Sequence, residues 1–444
     1  MLRECGYTVR LLDCLDRNHP RLLSFQRLSP AKDRGDGTGH FYKEFIIKPT
    51  ILQSVPRRYG RYGIPYSLVQ KELNTFPMPD MIFVTSGMTY WYPGVFEMIS
   101  LIKQRFPNVP VILGGIYASL FPEHARKKSG ADEVVCGAGE QACLHIADEI
   151  TGNRSDAHRY REMDNIPAPA YDLYPRLDSV ALLTSHGCPY RCPFCASRML
   201  SGEYRRRPYS RVIEEIEWLH NNQGVRHFAF YDDAVLYRKD EHMVPILEEI
   251  IARDMGVCFH TPNGIQPREI DERLARLMYE SGFKTVRLSY ESKSRERQER
   301  MGLKVRGDDL IRAVGLLKEA GFDSRQLGSY VLMGLPGQDA GEVLESMVFV
   351  LSLGVQVNLA SFSPIPGTPC WQEAVASGSL DADADPLLTN NSIYPLKNES
   401  MDYNTFVSLG TLAATANRIL KGGDDPLRHE TVKTQMKRIM ERVG

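Results

Sequence analysis

The feature that most constrains the fold is a strand-then-helix unit that recurs about six times in the second half of the chain. Short apolar segments alternate there with amphipathic ones, and a glycine separates helix from strand at Gly282 and Gly321. The predicted strands are Ser179–Thr184, His227–Tyr231, Gly256–Thr261, Thr285–Tyr290, Gln326–Met333 and Gln356–Ser363. The predicted helices are Arg211–Asn221, Glu241–Arg253, Asp271–Ser281, Gly307–Ala320 and Gly341–Leu353. This repetition predicts a partial (β/α)6 barrel, similar to a TIM barrel, with reactive groups at the carboxyl ends of its strands.

An α/β pattern also occupies the first part of the chain. Its predicted strands and helices are Thr8–Leu12, Met81–Thr85, Gly94–Arg105, Val109–Leu113, Glu133–Cys136 and Gln141–Ile150. The pattern indicates a doubly wound, Rossmann-like sheet, which binds ligands at the carboxyl ends of its strands. We therefore expect an α/β domain at 1–155, a proline-rich linker at 156–178, the barrel at 179–380 and a C-terminal region at 381–444. This last region is predicted to be helical near Tyr403–Lys421 and His429–Val443.

Bulk composition argues against some classes of function. The 444 residues carry a formal net charge of −1, so the chain has no global attraction to nucleic acid or to an anionic membrane. Neither a secretory signal nor a membrane span is visible, and a cytoplasmic protein is expected. Nine cysteines without a regular framework then predict free thiols or metal ligands rather than disulfides.

Three of the cysteines lie in one short loop directly after the first predicted barrel strand. Cys188, Cys192 and Cys195 have the spacing Cys-x3-Cys-x2-Cys. Thiolates this close together are electrostatically costly unless a metal neutralises them. The interpretations are a [4Fe–4S] cluster with three protein ligands, a zinc ion with His186 as the fourth ligand, and plain structural cysteines. The spacing favours the cluster because the second paired-ligand element usual for zinc is missing.

This loop, with Phe194 as the aromatic residue before the last cysteine, resembles the signature of the radical S-adenosylmethionine (SAM) superfamily. The resemblance covers about Ser179 to Ala376. It implies an anaerobic enzyme with a [4Fe–4S] cluster, held by the three cysteines, whose open iron binds SAM. One electron then splits SAM and gives a 5′-deoxyadenosyl radical. An electron donor such as flavodoxin or ferredoxin is therefore an expected partner.

Further segments at the ends of the predicted strands resemble the SAM-binding segments of that family. They are Phe228–Asp233, Thr261–Gly264, Arg287–Ser292, Val331–Gly337 and Ser363–Thr368. The chain departs from the family pattern in the third of these, where Ser289 and Tyr290 replace a small-and-aliphatic pair. No general acid or base can be assigned. The resemblance implies SAM contacts by Phe194, Asp232, Asp233, Asn263, Ser289, Glu291, Met333, Gly334 and Pro366.

The first domain resembles the cobalamin (vitamin B12)-binding domain that precedes the barrel in one radical SAM subfamily. The similarity lies in Pro79–Ser86, Ile112–Gly115, Pro122-Glu123 and Gly137–Glu140. No Asp-x-His-x-x-Gly sequence occurs, so a histidine ligand to cobalt is not indicated. The resemblance implies cobalamin contacts by Ser86, Met88, Thr89, Tyr90, Gly114, Gly115, Tyr117, Gly137, Gly139 and Glu140.

The chain begins where the first helix of that family ends, so we expect the first strand of the domain to be missing. Either the natural start lies upstream or the domain has lost corrin binding.

Three hypotheses about function follow. The first is a cobalamin-associated radical SAM methyltransferase that acts on an unactivated carbon or phosphorus centre. The second is a cobalamin-independent radical SAM enzyme that catalyses a rearrangement, a dehydrogenation or a cyclisation. The third is a zinc-stabilised protein that binds nucleic acid through basic clusters such as Arg205–Arg207. The first is favoured, and it predicts neither a membrane nor a nucleic acid as partner. The substrate cannot be read from the sequence.

Overall fold

The computed structural model describes residues 1–22, 35–161, 163–302, 304–394, 396 and 401–443. The described residues form two compact units. The first unit draws on Met1–Ser179, Asn222–Gly224 and Asp385–Thr389. The second draws on Val180–Asn221, Val225–Ala384 and Asn390–Gly444.

The first unit is built around a three-stranded parallel sheet in the order β3-β4-β5. Residues 111 to 113 of β4 are all buried, which is typical of a parallel strand covered on both faces. Leu68, Ile99 and Ile102 pack from the helices into the same core. The elements in chain order are β1 Lys43–Phe45, β2 Gly60–Tyr62, α1 Tyr66–Thr75, β3 Ile82–Ser86, α2 Tyr92–Arg105, β4 Val111–Gly114, α3 Gly115–Leu120, α4 Pro122–Lys128, β5 Glu133–Val134 and α5 Glu140–Thr151.

One strand prediction in this unit is wrong. Residues 8–12 form no strand in the described part of the chain, whereas the three other predicted strands are β3, β4 and β5. The segment packs on the core without pairing to a strand: Leu12 contacts the core, while Leu11 is 40% exposed. Side-chain alternation shows which residues face the core, but it does not supply a strand to pair with. Residues 23–34, in the polar stretch that follows, lie outside the described residues.

The second unit contains a six-stranded sheet in the order β13-β12-β11-β10-β9-β6, and the pairs from β9 to β13 are parallel. Strands β6 and β13 lie at opposite ends of this order, so the barrel is partial, as predicted. The elements in chain order are β6 Ser179–Leu182, β7 Ser185–His186, α6 Ser197–Ser201, β8 Arg205–Arg206, α7 Tyr209–Gln223, β9 His227–Phe230, α8 Met243–Ala252, β10 Cys258–His260, α9 Glu272–Glu280, β11 Phe283–Glu291, α10 Arg295–Arg300, α11 Gly307–Glu319, β12 Leu327–Met333, α12 Ala340–Ser352, β13 Gln356–Ser361, α13 Pro369–Ala376, α14 Tyr403–Lys421 and α15 Glu430–Val443.

Aromatic side chains hold the barrel strands against their helices. Phe230 and Phe283 stack with ring centroids 5.8 Å apart, and Phe259 packs 5.2 Å from Phe230. Phe230 and Phe283 also line a small apolar cavity together with Met243 of α8 and Met278 of α9. The face of the sheet that carries these rings is therefore the outer face, covered by helices.

The C-terminal helix α14 has the bounds that the sequence predicts, and it covers the β13 edge of the sheet. The Asn417 side chain accepts a hydrogen bond from Val357 N (2.8 Å) and donates one to Val357 O (2.7 Å). One amide side chain thus satisfies both backbone groups of an edge residue, as a neighbouring strand would. No helix among the described residues is long and apolar enough to cross a bilayer.

Candidate active site

The cysteine loop begins with a glycine that the backbone requires. β7 pairs with β8 in an antiparallel ladder, and Gly187 follows β7 with φ +77°. A Cβ at this position would collide with the carbonyl oxygen of Glu203. Only glycine combines this left-handed conformation with so close an approach, so Gly187 fixes the path of the chain into Cys188.

The three cysteines interact electrostatically with one another. Burial raises the pKa of Cys192 to about 12 and also raises the pKa of Cys188, and neighbouring thiols add to both shifts. Cys195 is exposed, with its Sγ 3.1 Å from Ser197 Oγ. A bound metal would supply the positive charge that such thiols need in order to ionise. Three cysteine thiols on one loop are the donor set of a [4Fe–4S] cluster with one open iron, so the chemistry of these residues fits the group.

A partly buried cation interacts with the thiols. Lys304 Nζ lies 3.6 Å from Glu291 Oε1, and the two side chains are only 16% and 12% exposed. Although burial opposes it, the negative charges of Glu291 and of the three cysteines raise the pKa of Lys304. Glu291 itself has φ +69°, which is unusual for a residue with a side chain, at an irregularity in the pairing of β11 with β12. Sequence reasoning missed Lys304, because the loop before α11 has no strand or helix pattern.

Asp232 and Asp233, predicted as SAM contacts, both lie beside the cysteine loop. Asp232 Oδ1 accepts hydrogen bonds from Thr184 N (3.0 Å), Thr184 Oγ1 (2.8 Å) and Ser185 Oγ (2.6 Å). Burial raises the pKa of Asp232, and those hydrogen bonds oppose the shift. Its buried Oδ2 has no hydrogen-bond partner among the described residues. One oxygen therefore holds the end of β6, and the other is left for a ligand or a water molecule.

Asp233 makes a different contact. Its Oδ1 accepts a hydrogen bond of 2.7 Å from Ser197 Oγ, the same oxygen that contacts Cys195 Sγ. Asp233 thus fastens the C-terminal end of the cysteine loop.

The other predicted SAM contacts lie at or after the carboxyl ends of successive strands. Asn263 is exposed and donates to Tyr231 O at 2.7 Å, whereas Ser289 and Met333 are buried. Phe194 and Pro366 are partly buried, and Gly334 has φ +88°. The structure therefore places all of them in one unit with the cysteines, at the strand ends where the sequence predicts a site.

Sequence reasoning missed a buried polar network that joins two of these strand ends. Gln338 Oε1 accepts from Gly334 N (2.8 Å) and Leu335 N (3.2 Å), while its Nε2 donates to Leu332 O (3.1 Å) and Glu342 Oε1 (3.2 Å). Glu342 also accepts hydrogen bonds from Ser292 Oγ (2.7 Å) and Arg297 Nε (2.6 Å). The network therefore connects Ser292, the residue after Glu291, to the turn at Gly334 through hydrogen bonds.

We expect Gln338→Ala to lower the free energy of unfolding by about 1–3 kcal/mol, because two buried backbone N–H groups lose their acceptor. The KM for SAM should also rise, since the turn at Gly334 loses its support. Urea unfolding and SAM titration measure the two effects, and exposed Gln372→Ala is the matched control. An unchanged KM in a less stable Gln338→Ala protein would assign the network to folding only.

The residues predicted to contact cobalamin lie in the first unit, around the ends of β3, β4 and β5. Gly115 bridges to Ser86, and a Cβ on Gly115 would lie 2.7 Å from Ser86 O. Gly114 and Gly139 are partly exposed, Gly137 is exposed, and Glu140 begins α5. Met88 and Tyr90 are partly buried. These positions remain predicted contacts.

The hydroxyl groups of Thr89 and Tyr117, two of the predicted cobalamin contacts, already contact other side chains. Thr89 is buried, and its Oγ1 lies 2.7 Å from Thr389 Oγ1. Tyr117 is fully buried, with its hydroxyl 2.6 Å from His124 Nδ1 and its ring stacked on Tyr92. As placed, Tyr117 belongs to the core, so a contact with a corrin would require its side chain to move.

Two protein-family models match the chain. The model described as B12 binding domain matches residues 69–147, and the model described as Radical SAM superfamily matches residues 182–350. The chain contains a B12-binding domain followed by a radical SAM domain. The radical SAM match includes all three cysteines of the loop, and the protein is therefore an enzyme that uses SAM and a [4Fe–4S] cluster.

Over about 70% of its length the chain resembles curated relatives. An uncharacterized methyltransferase of Pyrococcus horikoshii is 28% identical over 348 residues, which cover 71% of this chain and 74% of the relative. Cytidylyl-2-hydroxyethylphosphonate methyltransferase of Streptomyces wedmorensis is 24% identical over 390 residues, covering 73% of this chain and 72% of the relative.

Solved structures share the fold of these domains. The radical SAM methyltransferase TsrM of Kitasatospora setae, with cobalamin and a [4Fe–4S] cluster bound, matches with a TM-score of 0.60 and 18% identity. The match covers 84% of this chain and 90% of TsrM. The cobalamin-dependent radical SAM enzyme OxsB matches with a TM-score of 0.52 and 16% identity, over 74% of this chain and 49% of OxsB. At these identities the likeness shows the fold.

Proposed function

We propose that this protein is a cobalamin-associated radical SAM methyltransferase. The observation that carries the proposal is the loop of three cysteines that interact electrostatically with one another and with the Lys304–Glu291 pair, in a chain that also has a B12-binding domain. Relatives named as methyltransferases support methyl transfer as the outcome. Cys188, Cys192 and Cys195 would hold the cluster and leave one iron without a protein ligand.

When bound, the cluster and SAM supply a 5′-deoxyadenosyl radical, and cobalamin supplies a methyl carrier. The residues of this chain bind and orient these groups. Lys304 places a positive charge beside the thiolates, where it offsets part of their negative charge. Asp233 and Glu291 present carboxylates near the same loop, suited to the ammonium group of SAM.

The network around Glu342 keeps the ends of β11 and β12 in register, so that Ser289, Glu291, Met333 and Gly334 hold fixed positions. We propose these residues as SAM contacts, together with Phe194, Asp232, Asn263 and Pro366. Asp232 would act through its second oxygen, because the first already binds Thr184 and Ser185.

For cobalamin, we propose the exposed and partly exposed strand-end residues Gly114, Gly137, Gly139 and Met88 as contacts. Protein purified anaerobically with hydroxocobalamin should retain about one corrin per chain after gel filtration, because a parallel sheet binds ligands at these ends. The absorption spectrum measures retention. A protein that keeps its cluster but emerges without a corrin spectrum would contradict cobalamin binding.

A second candidate function is a radical SAM reaction that does not use cobalamin. One observation favours it: the hydroxyl groups of Thr89 and Tyr117, two predicted cobalamin contacts, already contact Thr389 and His124. The two candidates differ in products, because methyl transfer from SAM leaves S-adenosylhomocysteine whereas the alternative gives 5′-deoxyadenosine only. We further propose flavodoxin or ferredoxin as the electron donor and the cytoplasm as the location.

A further inference from the structure

The inner face of the barrel sheet carries a row of polar side chains. His227 Nδ1 on β9 lies 3.0 Å from His260 Nε2 on β10, and His260 Nδ1 lies 2.9 Å from Thr285 Oγ1 on β11. Arg287 and Asn358 continue the row toward β13. Because alternate residues of a strand face opposite ways, Phe228 on β9 and Phe259 on β10 mark the outer face, and the histidines next to them mark the interior. The pairing of His260 with Thr285 places Thr285, and with it Arg287, on the same inner face.

Arg287 is the charged member of the row. Its Nη1 donates to Gln326 O (3.0 Å) and Val286 O (3.3 Å), which are both main-chain carbonyls. No carboxylate of a residue that the structure describes lies within ion-pair distance of its guanidinium. Burial lowers the pKa of Arg287. A partly buried cation that has only carbonyl acceptors on one nitrogen is poorly compensated, and an anion would compensate it.

Asn358 offers a hydrogen-bond acceptor beside this cation. Its Oδ1 is buried and has no hydrogen-bond partner within the described ranges. Gly328, on the strand between them, brings the two groups together: a Cβ there would lie 3.1 Å from Arg287 Nη1 and closer still to Asn358 Oδ1. The Arg287 and Asn358 side chains therefore lie side by side over Gly328, and both residues are partly exposed.

We propose that Arg287 and Asn358 form a substrate-binding subsite inside the barrel for a carboxylate with a hydrogen-bond donor on the neighbouring carbon, as in an amino acid or a hydroxy acid. The guanidinium would donate to the carboxylate oxygens, and the N–H or O–H group of the ligand would donate to Asn358 Oδ1. This inference rests on the proposed function, since it gives that reaction its class of substrate. Phosphate could satisfy the cation as well, so the test separates the two anions.

The test measures the thermal unfolding midpoint of the cluster-reconstituted protein in glycolate, acetate, inorganic phosphate or chloride at equal ionic strength. We expect glycolate to raise the midpoint by about 2 °C or more above chloride, acetate to raise it less, and phosphate to match chloride. Arg287→Met should abolish the glycolate response. Gly328→Ala, which keeps both side chains but places a Cβ where they now lie and so displaces them, should abolish it too.

Arg312→Met is the matched control, because Arg312 also donates only to main-chain carbonyls, Ile270 O and Arg268 O. It should keep the glycolate response. Equal responses of the wild type and Arg287→Met, or no response in either, would overturn the subsite. A response to phosphate that exceeds the response to glycolate would overturn the carboxylate assignment. None of these outcomes depends on SAM cleavage, so a failure of the proposed function would be visible separately.

Discussion

Replacing Cys192 by Ala is expected to lower the formation of 5′-deoxyadenosine from SAM by more than about 100-fold, the upper end of the loss caused by removing an outer-shell partner of a metal. Cys192 is partly buried, and burial raises its pKa to about 12. Its loss would leave two ligands, of which Cys195 is exposed. Iron and sulfide content, measured with the product, should fall together with activity.

The control for this substitution is Cys5→Ala in the first unit, since Cys5 contacts Tyr160 and lies away from the loop in sequence. It should retain iron, sulfide and SAM cleavage at wild-type levels. If Cys192→Ala kept full iron content and cleaved SAM normally, the assignment of the cluster to this loop would be wrong.

The second large effect is expected at Lys304. Lys304→Met should slow 5′-deoxyadenosine formation by about 10-fold to 100-fold, because Glu291 then remains in a partly buried site without its cation. The midpoint potential of the cluster should also become more negative, since a positive charge near the thiolates favours the added electron. Electron paramagnetic resonance during redox titration measures the potential.

Two variants make this result specific to charge. Lys304→Arg should recover most of the activity and the potential, and Lys284→Met, at an exposed lysine on the same strand as Glu291, should change neither. A Lys304→Met protein with an unshifted potential and a lower melting temperature would limit Lys304 to a role in folding.

Most of the barrel could be predicted because each of its strands and helices has a pattern of its own within a short stretch of sequence. All six strands and five of the helices in the barrel coincide with apolar runs and amphipathic periods, bounded by residues such as Gly282 and Gly321. The helix α14 was predicted with its observed bounds. The short helices α6, α10 and α13 were missed, since five to eight residues give too little periodicity to recognise.

Contacts between distant residues could not be predicted in the same way. Lys304 meets Glu291 across a loop, and Gln338 meets the backbone of Gly334 through a side chain that no pattern distinguishes from a surface glutamine. The error at Thr8–Leu12 has the same origin, because pairing depends on a partner strand elsewhere in the chain. The sequence placed candidate residues at strand ends, and the structure added which neighbours hold them there.

The most direct test of the central claim is product analysis on anaerobically reconstituted protein that has been supplied with hydroxocobalamin, SAM and dithionite. A cobalamin-associated radical SAM methyltransferase should form both 5′-deoxyadenosine and S-adenosylhomocysteine, and Cys192→Ala should not form 5′-deoxyadenosine above background. 5′-Deoxyadenosine without S-adenosylhomocysteine would support the cobalamin-independent reaction instead. Intact SAM in a protein that holds a complete iron–sulfur cluster would contradict the account.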